Sequence, residues 1–280
     1  MNKEILIICR GGGDLATGIV HRLFRAGYQV LILETAEPAA IRRQVSFCEA
    51  VYEGTATVEG VTAERIYTAK KQAVEEVLQR GRIPLLVDPD GRSIEVLKPD
   101  VVVDAIIAKK NLGTTKEMAP LVIGIGPGFV AGKDVHLVVE SMRGHNLARI
   151  LETGSALANT GIPGNIGGYT KERVIHAAAE GYMKNLHQIG DVVRKGEKIA
   201  RIYEQMSPEG IFSGRFVSVE ATIPGVLRGL IREGYHFQKG FKIADIDPRE
   251  SELANCFTIS DKASSIGGSV LEAVCRYVNG

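Results

Sequence analysis

Residues 5–23 read "ILIICRGGGDLATGIVHRL". An apolar run stops at three glycines, and apolar residues at helical spacing follow. The run Glu4–Cys9 reads as a buried strand, and 14–26 as a helix with Leu15, Ile19, Leu23 and Ala26 on one face and Gly27 as its stop. The loop between them, Gly11-x-Gly13-x-x-Ala16, matches a dinucleotide-binding pattern. Glycines let backbone approach a pyrophosphate, and a helix start offers free N–H donors. Glu34 ends the next apolar run, 30–34, where an acid takes a ribose hydroxyl pair. Gly11, Gly12, Gly13, Asp14, Ala16 and Glu34 are therefore the first candidate binding residues. Asp14 is the awkward one, because two unit charges 4 Å apart repel by about 4 kcal/mol at an effective dielectric of 20. The expectation is that Asp14 caps the helix and orders the loop. Pointing inward instead, it keeps a diphosphate at a distance or holds a cation against it.

Outward from this stretch, 69–80 reads as a second helix, and 83–87, 101–107, 121–125 and 135–140 as further strands. Continuous apolar strands mixed with helices predict a Rossmann-like, mostly parallel, doubly wound sheet over residues 1–152. Ligands of such sheets bind beyond the carboxyl ends of the strands. Three segments fall there: Lys109-Lys110-Asn111, the turn carrying Gly126 and Gly128, and the segment holding His145 and Asn146. Lysines and glycine turns suit an anionic ligand.

A repeat follows a Gly-rich linker at 153–171. Residues 173–202 and 217–246 align without gaps, with ten of thirty positions identical. Gly181 pairs with Gly225, Gly190 with Gly234, and Gly196 with Gly240. Neither copy can bury an apolar face alone. The pattern resembles the barrel-sandwich hybrid of biotinyl and lipoyl carriers, which predicts a small all-β domain at 172–250. Such carriers place a lysine on the hairpin between repeats, and 199–238 contains none, so biotin or lipoate attachment is not expected. The tail, 251–280, is expected to carry an amphipathic helix.

The bulk numbers fit this reading. The chain has 280 residues and a net charge of +1, with no footprint for nucleic acid or anionic lipid. Four scattered cysteines fit a reducing cytoplasm. No window approaches the roughly 20 apolar residues of a membrane span. The histidines show no metal-binding spacing, and no metal site is expected. Cys48 and Cys256 are the candidate reactive thiols, Cys9 and Cys275 reading as core.

Several long segments together resemble the selenium-dependent molybdenum hydroxylase maturation proteins of the YqeB type. They are "RGGGDLATG" (10–18), "AIRRQVSFCEAVYEG" (40–54), "VDAIIAKKNLGT" (103–114), "MAPLVIGIGPGFVAGKDVH" (118–136), "RGHNLARI" (143–150), "TGIPG" (160–164), "GVLRGLI" (225–231), "GFKIADIDPR" (240–249) and "CFTISDKASSIGG" (256–268). The first half is also similar to accessory proteins that mature xanthine dehydrogenase. The resemblance implies a cytoplasmic accessory factor in selenium-containing molybdenum cofactor biosynthesis or insertion. Its ligand is then molybdenum cofactor or a nucleotide form of it. Its partners are the molybdenum hydroxylase apo-enzyme or other cofactor-maturation proteins. A selenosulfide on Cys256 or Cys48 is the corresponding expectation for selenium. Two other readings stay open at this point: an NAD(P)-dependent oxidoreductase using Gly11, Gly13, Ala16 and Glu34, and a non-catalytic docking scaffold. Whether the chain makes and breaks bonds is open too.

Overall fold

The computed structural model of the chain describes residues 5–158, 161 and 164–280. Part of the Gly-rich linker, and of the "TGIPG" segment, lies outside them. The chain divides into two compact units. One takes Met1–Pro38, Val45–Thr160 and Ile259–Gly280; the other takes Ala39–Gln44 and Gly161–Thr258.

The first unit is built on one nine-stranded sheet. In chain order its elements are β1 (Leu6–Arg10), α1 (Asp14–Arg25), β2 (Gln29–Glu34), α2 (Ala50–Glu53), β3 (Thr55–Val58), β4 (Val61–Ile66), α3 (Lys71–Gln79), β5 (Ile83–Val87), α4 (Ser93–Leu97), β6 (Val101–Asp104), β7 (Leu121–Ile125), β8 (Leu137–Val139) and β9 (Ile150–Leu151), with α5 (Asp261–Asn279) added from the tail. The strand order is β3-β4-β5-β2-β1-β6-β7-β8-β9. Neighbours from β4 to β8 are parallel, and β3 and β9 close the edges antiparallel. Because the central strands are covered on both faces, they read as unbroken apolar runs. Ile7, Cys9, Val30, Ile32, Val101 and Val103 pack with α1 and α5. The alternate residues Ile8, Leu31, Val102 and Val122 pack with Val74 and Val77 of α3. Helices α1 and α5 meet closely: a Cβ on Gly18 lies 2.7 Å from the Cβ of Ala263.

The second unit holds β10 (Val174–His176), β11 (Gly181–Asn185), β12 (Val192–Val193), β13 (Lys198–Met206), β14 (Phe212–Glu220), β15 (Gly225–Leu230), β16 (His236–Phe237) and β17 (Lys242–Asp247). They form two antiparallel sheets, ordered β10-β17-β15-β12 and β14-β13-β11-β16. The two repeat copies are interleaved. Strands β11 and β13 of the first copy share a sheet with β16 of the second, and β15 and β17 of the second share a sheet with β12 of the first. Gly181 and Gly225 occupy equivalent positions with φ of 153° and 145°. A Cβ on either is blocked by the carbonyl of the equivalent partner, Tyr203 or Asp247.

This architecture corrects the expected fold class. The first sheet is a large mixed one with antiparallel edge strands, not a Rossmann-like doubly wound sheet. The β6–β7 and β7–β8 connections carry no α-helix. The second unit is two separate sheets, not a small barrel-sandwich-hybrid-like domain. The missed edge hairpin, β3–β4, turns through Glu59 and Gly60, both at positive φ (46° and 78°). Turns with two such residues favour Asn-Gly or Asp-Gly, so Glu-Gly gave a weak signal. Helix α5 counts with the first unit because its apolar side, Ile266, Val270 and Val274, joins that unit's core.

Candidate functional site at the carboxyl edge of the nine-stranded sheet

Strands β1, β2 and β6 lie side by side, so their carboxyl ends bring Arg10, Glu34 and Asp104 together around the glycine loop. The loop closes on the protein's own groups. The Gly11 N–H donates to Leu33 O at 2.8 Å. The Gly12 N–H donates to Glu34 Oε2 at 2.7 Å, and Glu34 Oε1 accepts from the Thr35 N–H at 2.8 Å. The Gly12 carbonyl accepts from the Cys48 N–H at 2.8 Å. A Cβ on Gly11 lies 2.9 Å from Ala105 O, and one on Gly12 lies 3.1 Å from Cys48 N. The glycines thus serve close internal backbone packing.

Gly11, Gly12 and Glu34, the expected pyrophosphate and ribose residues, are engaged here with the protein's own groups. The two amides are already spent, and the acid binds its own loop. Burial raises the Glu34 carboxyl above the usual carboxylate range, against the lowering effect of the Thr35 and Gly12 hydrogen bonds. Ala16 is a core residue of α1. Gly13 faces open space.

Asp14 is not the cap. Gly13 is the N-cap residue, and Asp14 is the first helical residue. A carboxylate in the first turn complements the positive helix end. Its charge also acts on Arg143 and Lys262. Arg143 holds Asp261, the first residue of α5, through two hydrogen bonds of 2.7 and 2.8 Å. Lys262 is half-buried; burial and the neighbouring Arg143 pull its ammonium pKa down, against Asp14, Glu140 and Asp261. Glu140 is buried, with Oε1 accepting from Met142 N at 2.7 Å and Oε2 from Leu157 N at 2.8 Å.

A second buried network was not anticipated. Arg10 Nη1 donates to Thr114 Oγ1, and Arg10 Nη2 to Pro89 O at 2.9 Å. The Thr114 hydroxyl donates to Asp104 Oδ2 at 2.6 Å. Burial raises the Asp104 carboxyl, while Thr114, Ile106 N–H and Arg10 offset part of that. The only sequence signal was an arginine closing an apolar strand. Asn111 belongs to this network's support: its Oδ1 accepts from Gly113 N and Thr114 N, at 2.9 and 2.8 Å, and its Nδ2 donates to Thr114 O at 2.8 Å. It orders a turn through its side-chain carbonyl and one of its two amide N–H groups.

The remaining candidates meet further along the edge. Segment 105–111 runs from Gly11 to Gly128, where a Cβ on Gly128 lies 2.8 Å from Lys110 Cα. Ile107 and Lys109 take the left-handed region, with φ of 60° and 63°. For a β-branched residue this is a strained conformation. Lys109 and Lys110 are exposed beside the 126–128 turn. The Gly126 N–H is spent on Val139 O at 2.8 Å. His145 and Asn146 are exposed in the turn after β8.

The candidate thiols lie in different units, Cys48 buried in the first and Cys256 in the core of the second. Cys48 is 1% exposed, and burial raises its pKa well above the usual thiol value, helped by Glu34 and Glu49. Cys256 is also 1% exposed, and burial raises its pKa against the pull of Arg228 and Arg42. Neither presents a thiolate at the surface. Among the described residues, no three His, Cys, Asp or Glu side chains converge to hold a metal ion. No helix of the described residues is long and apolar enough to cross a membrane.

Fold and site together define an α/β protein with a self-closed glycine loop, carrying a β unit made of two interleaved repeats. No protein-family model matches the sequence. The chain is similar to Uncharacterized protein YqeB of Escherichia coli (strain K12), at 47% identity over 274 residues, covering 98% of this chain and 48% of the relative. It thus spans about half the length of that protein. Among solved structures, the product-bound ectoine utilization protein EutE (DoeB) from Ruegeria pomeroyi aligns at 12% identity over 87% of this chain and 85% of the other, with a TM-score of 0.27. An aspartoacylase family protein from Mesorhizobium loti aligns at 10% identity over 88% and 86%, with a TM-score of 0.31. Scores this low transfer neither fold nor chemistry.

Proposed function

We propose that this chain is a cytoplasmic accessory factor in the maturation of a selenium-dependent molybdenum hydroxylase. It holds molybdenum cofactor, or a nucleotide form of it, by the phosphate at the Lys109–Lys110 loop. The resemblance of its long motifs supports the process, and the similarity to a YqeB protein agrees with the resemblance. The observation that carries the site is the seating of Gly128 on the Lys110 backbone. It fixes the strained 107–110 segment beside the 126–128 turn and leaves two lysine side chains exposed there. The anionic end of the ligand is held here and not over Gly12, where Glu34 occupies the amide.

The bound group supplies the metal and pterin chemistry; the chain binds and orients its phosphate through Lys109 and Lys110. Cys48 and Cys256 take no part in this reading, because both thiols are buried. The client apo-enzyme or other maturation proteins are the partners the same reading requires.

The test is a titration with molybdenum cofactor released anaerobically from a molybdenum hydroxylase, followed by pterin fluorescence. Lys109→Ala with Lys110→Ala is expected to weaken binding at least tenfold, while Glu34→Gln leaves it unchanged. Tight NADH binding that depends on Glu34 replaces this reading with the oxidoreductase. Binding of neither leaves the scaffold.

A further inference from the structure

The internal repeat allows each β sheet of the second unit to be compared with its own twin. On the outer side of β15 and β17, the residues Val226, Arg228, Asp245 and Asp247 stand 44 positions after Tyr182, Lys184, Arg201 and Tyr203 of β11 and β13. The β15–β17 face is covered by the chain itself. The Leu230 N–H donates to Ile41 O at 2.9 Å, and Arg43 Nε donates to Leu230 O at 3.0 Å. Cys256, at the end of the 3-10 turn Glu250–Cys256, lies where it feels Arg228, Asp245 and Asp247. Val226 is fully buried there and Asp247 is 2% exposed.

Among the described residues, the twin face, on β16-β11-β13-β14, has no such cover. Cross-strand register lines up His236, Tyr182, Tyr203 and Phe216 in one row across all four strands. Successive rings are close: 4.7 Å between the His236 and Tyr182 centroids, and 5.2 Å between Tyr203 and Phe216. The next row is Lys184, Arg201 and Ser218. Phe216 is 47% exposed, and Ile211 at the hairpin tip is 65% exposed. Lys184 pairs with Glu233, and Arg215 with Glu204. Arg201 lies 4.7 Å over the Phe216 ring and its Nη1 donates to Tyr203 Oη at 3.5 Å; among the described residues no carboxylate pairs with it, and its Nε has no hydrogen-bond partner.

We infer that this face docks an extended segment of another protein that carries acidic and aliphatic side chains. The charge at the key position is inverted between the twins. Asp245 on the covered face is met by Arg173, 3.5 Å away. Arg201 on the open face calls for a carboxylate in the same way. The ring row takes aliphatic side chains, and β14, an edge strand, offers unpaired backbone groups for strand addition. A symmetric face-to-face pairing with a second copy is disfavoured, because it brings Arg201 toward its own kind.

The test uses the full chain and a fluorescein-labelled nine-residue peptide of alternating Glu and Leu, with a Lys and Leu peptide as counterpart. The acidic peptide is expected to bind and the basic one not. Arg201→Glu is expected to weaken binding at least tenfold, Phe216→Ser at least fivefold, and Arg201→Lys to retain most of it. Hydrogen exchange of the unmutated chain, which needs no variant to fold, is expected to slow in β11, β13 and β14 on peptide addition. Equal binding of both peptides, indifference to Arg201→Glu, or protection elsewhere overturns the inference. So does a dimer of the free chain that Phe216→Ser dissolves, or an oligonucleotide that binds through Arg201.

Discussion

Glu34 shows how one side chain changes the meaning of a motif. In sequence it sits where an acid meets a ribose; in the fold it accepts the Gly12 N–H. Its carboxyl pKa is raised mainly by burial. The folded state therefore holds a proton that the unfolded state releases at lower pH. For such a group stability is greatest below the unfolded pKa, near 4, and falls as pH rises through the folded value. Glu34→Gln removes the buried charge and keeps an oxygen for Gly12. The variant is expected to show a shallower loss of stability on raising pH from the acid side than the parent does. Urea midpoints across that range check it. The loop pattern itself was legible, because glycine-rich spacing after a strand is a local property. Whether its amides face a guest or a carboxylate was not, since that depends on a strand twenty residues away in sequence.

At the scale of elements, strands β1, β2, β5 and β7 were readable because an apolar run buried on both faces needs no partner to be recognised. The two-residue strands β9, β12 and β16 carry too few residues to show a period. The repeat was readable through its glycines, and the structure explains two of them. Gly181 and Gly225 hold equivalent strand contacts at positive φ, where a side chain meets a carbonyl. Gly181→Ala and Gly225→Ala are each expected to destabilise the chain by about 1–3 kcal/mol, as forced overpacking does. Gly196→Ala, with positive φ but open space around it, is expected to cost less, about 1 kcal/mol. Denaturant titration of the three variants checks the order.

At the scale of the whole molecule, the units are not simple cuts of the sequence. The first needs the tail, since α5 places Ile266, Val270 and Val274 in its core. The second takes Ala39–Gln44 from the amino-terminal half. A fragment ending at residue 158 therefore exposes the α1 surface around Gly18. It is expected to melt well below the full chain, and a peptide of residues 259–280 added in trans is expected to restore part of the loss. A fragment as stable as its full-chain counterpart, indifferent to the peptide, is the contrary result, read by thermal melting of each.

Local periodicity, glycine spacing and the repeat were enough to determine the alternation of strands and helices, the glycine loop and the duplicated β unit. These are properties of short windows, where backbone preference and burial pattern act together. Only the tertiary structure decided the mixed sheet with its antiparallel edges, the interleaving of the repeat into two sheets, and the closing of the glycine loop on Glu34. Each of these depends on which distant segments come to lie side by side, and hydrogen bonds between such segments leave no trace in the order of residues along the chain.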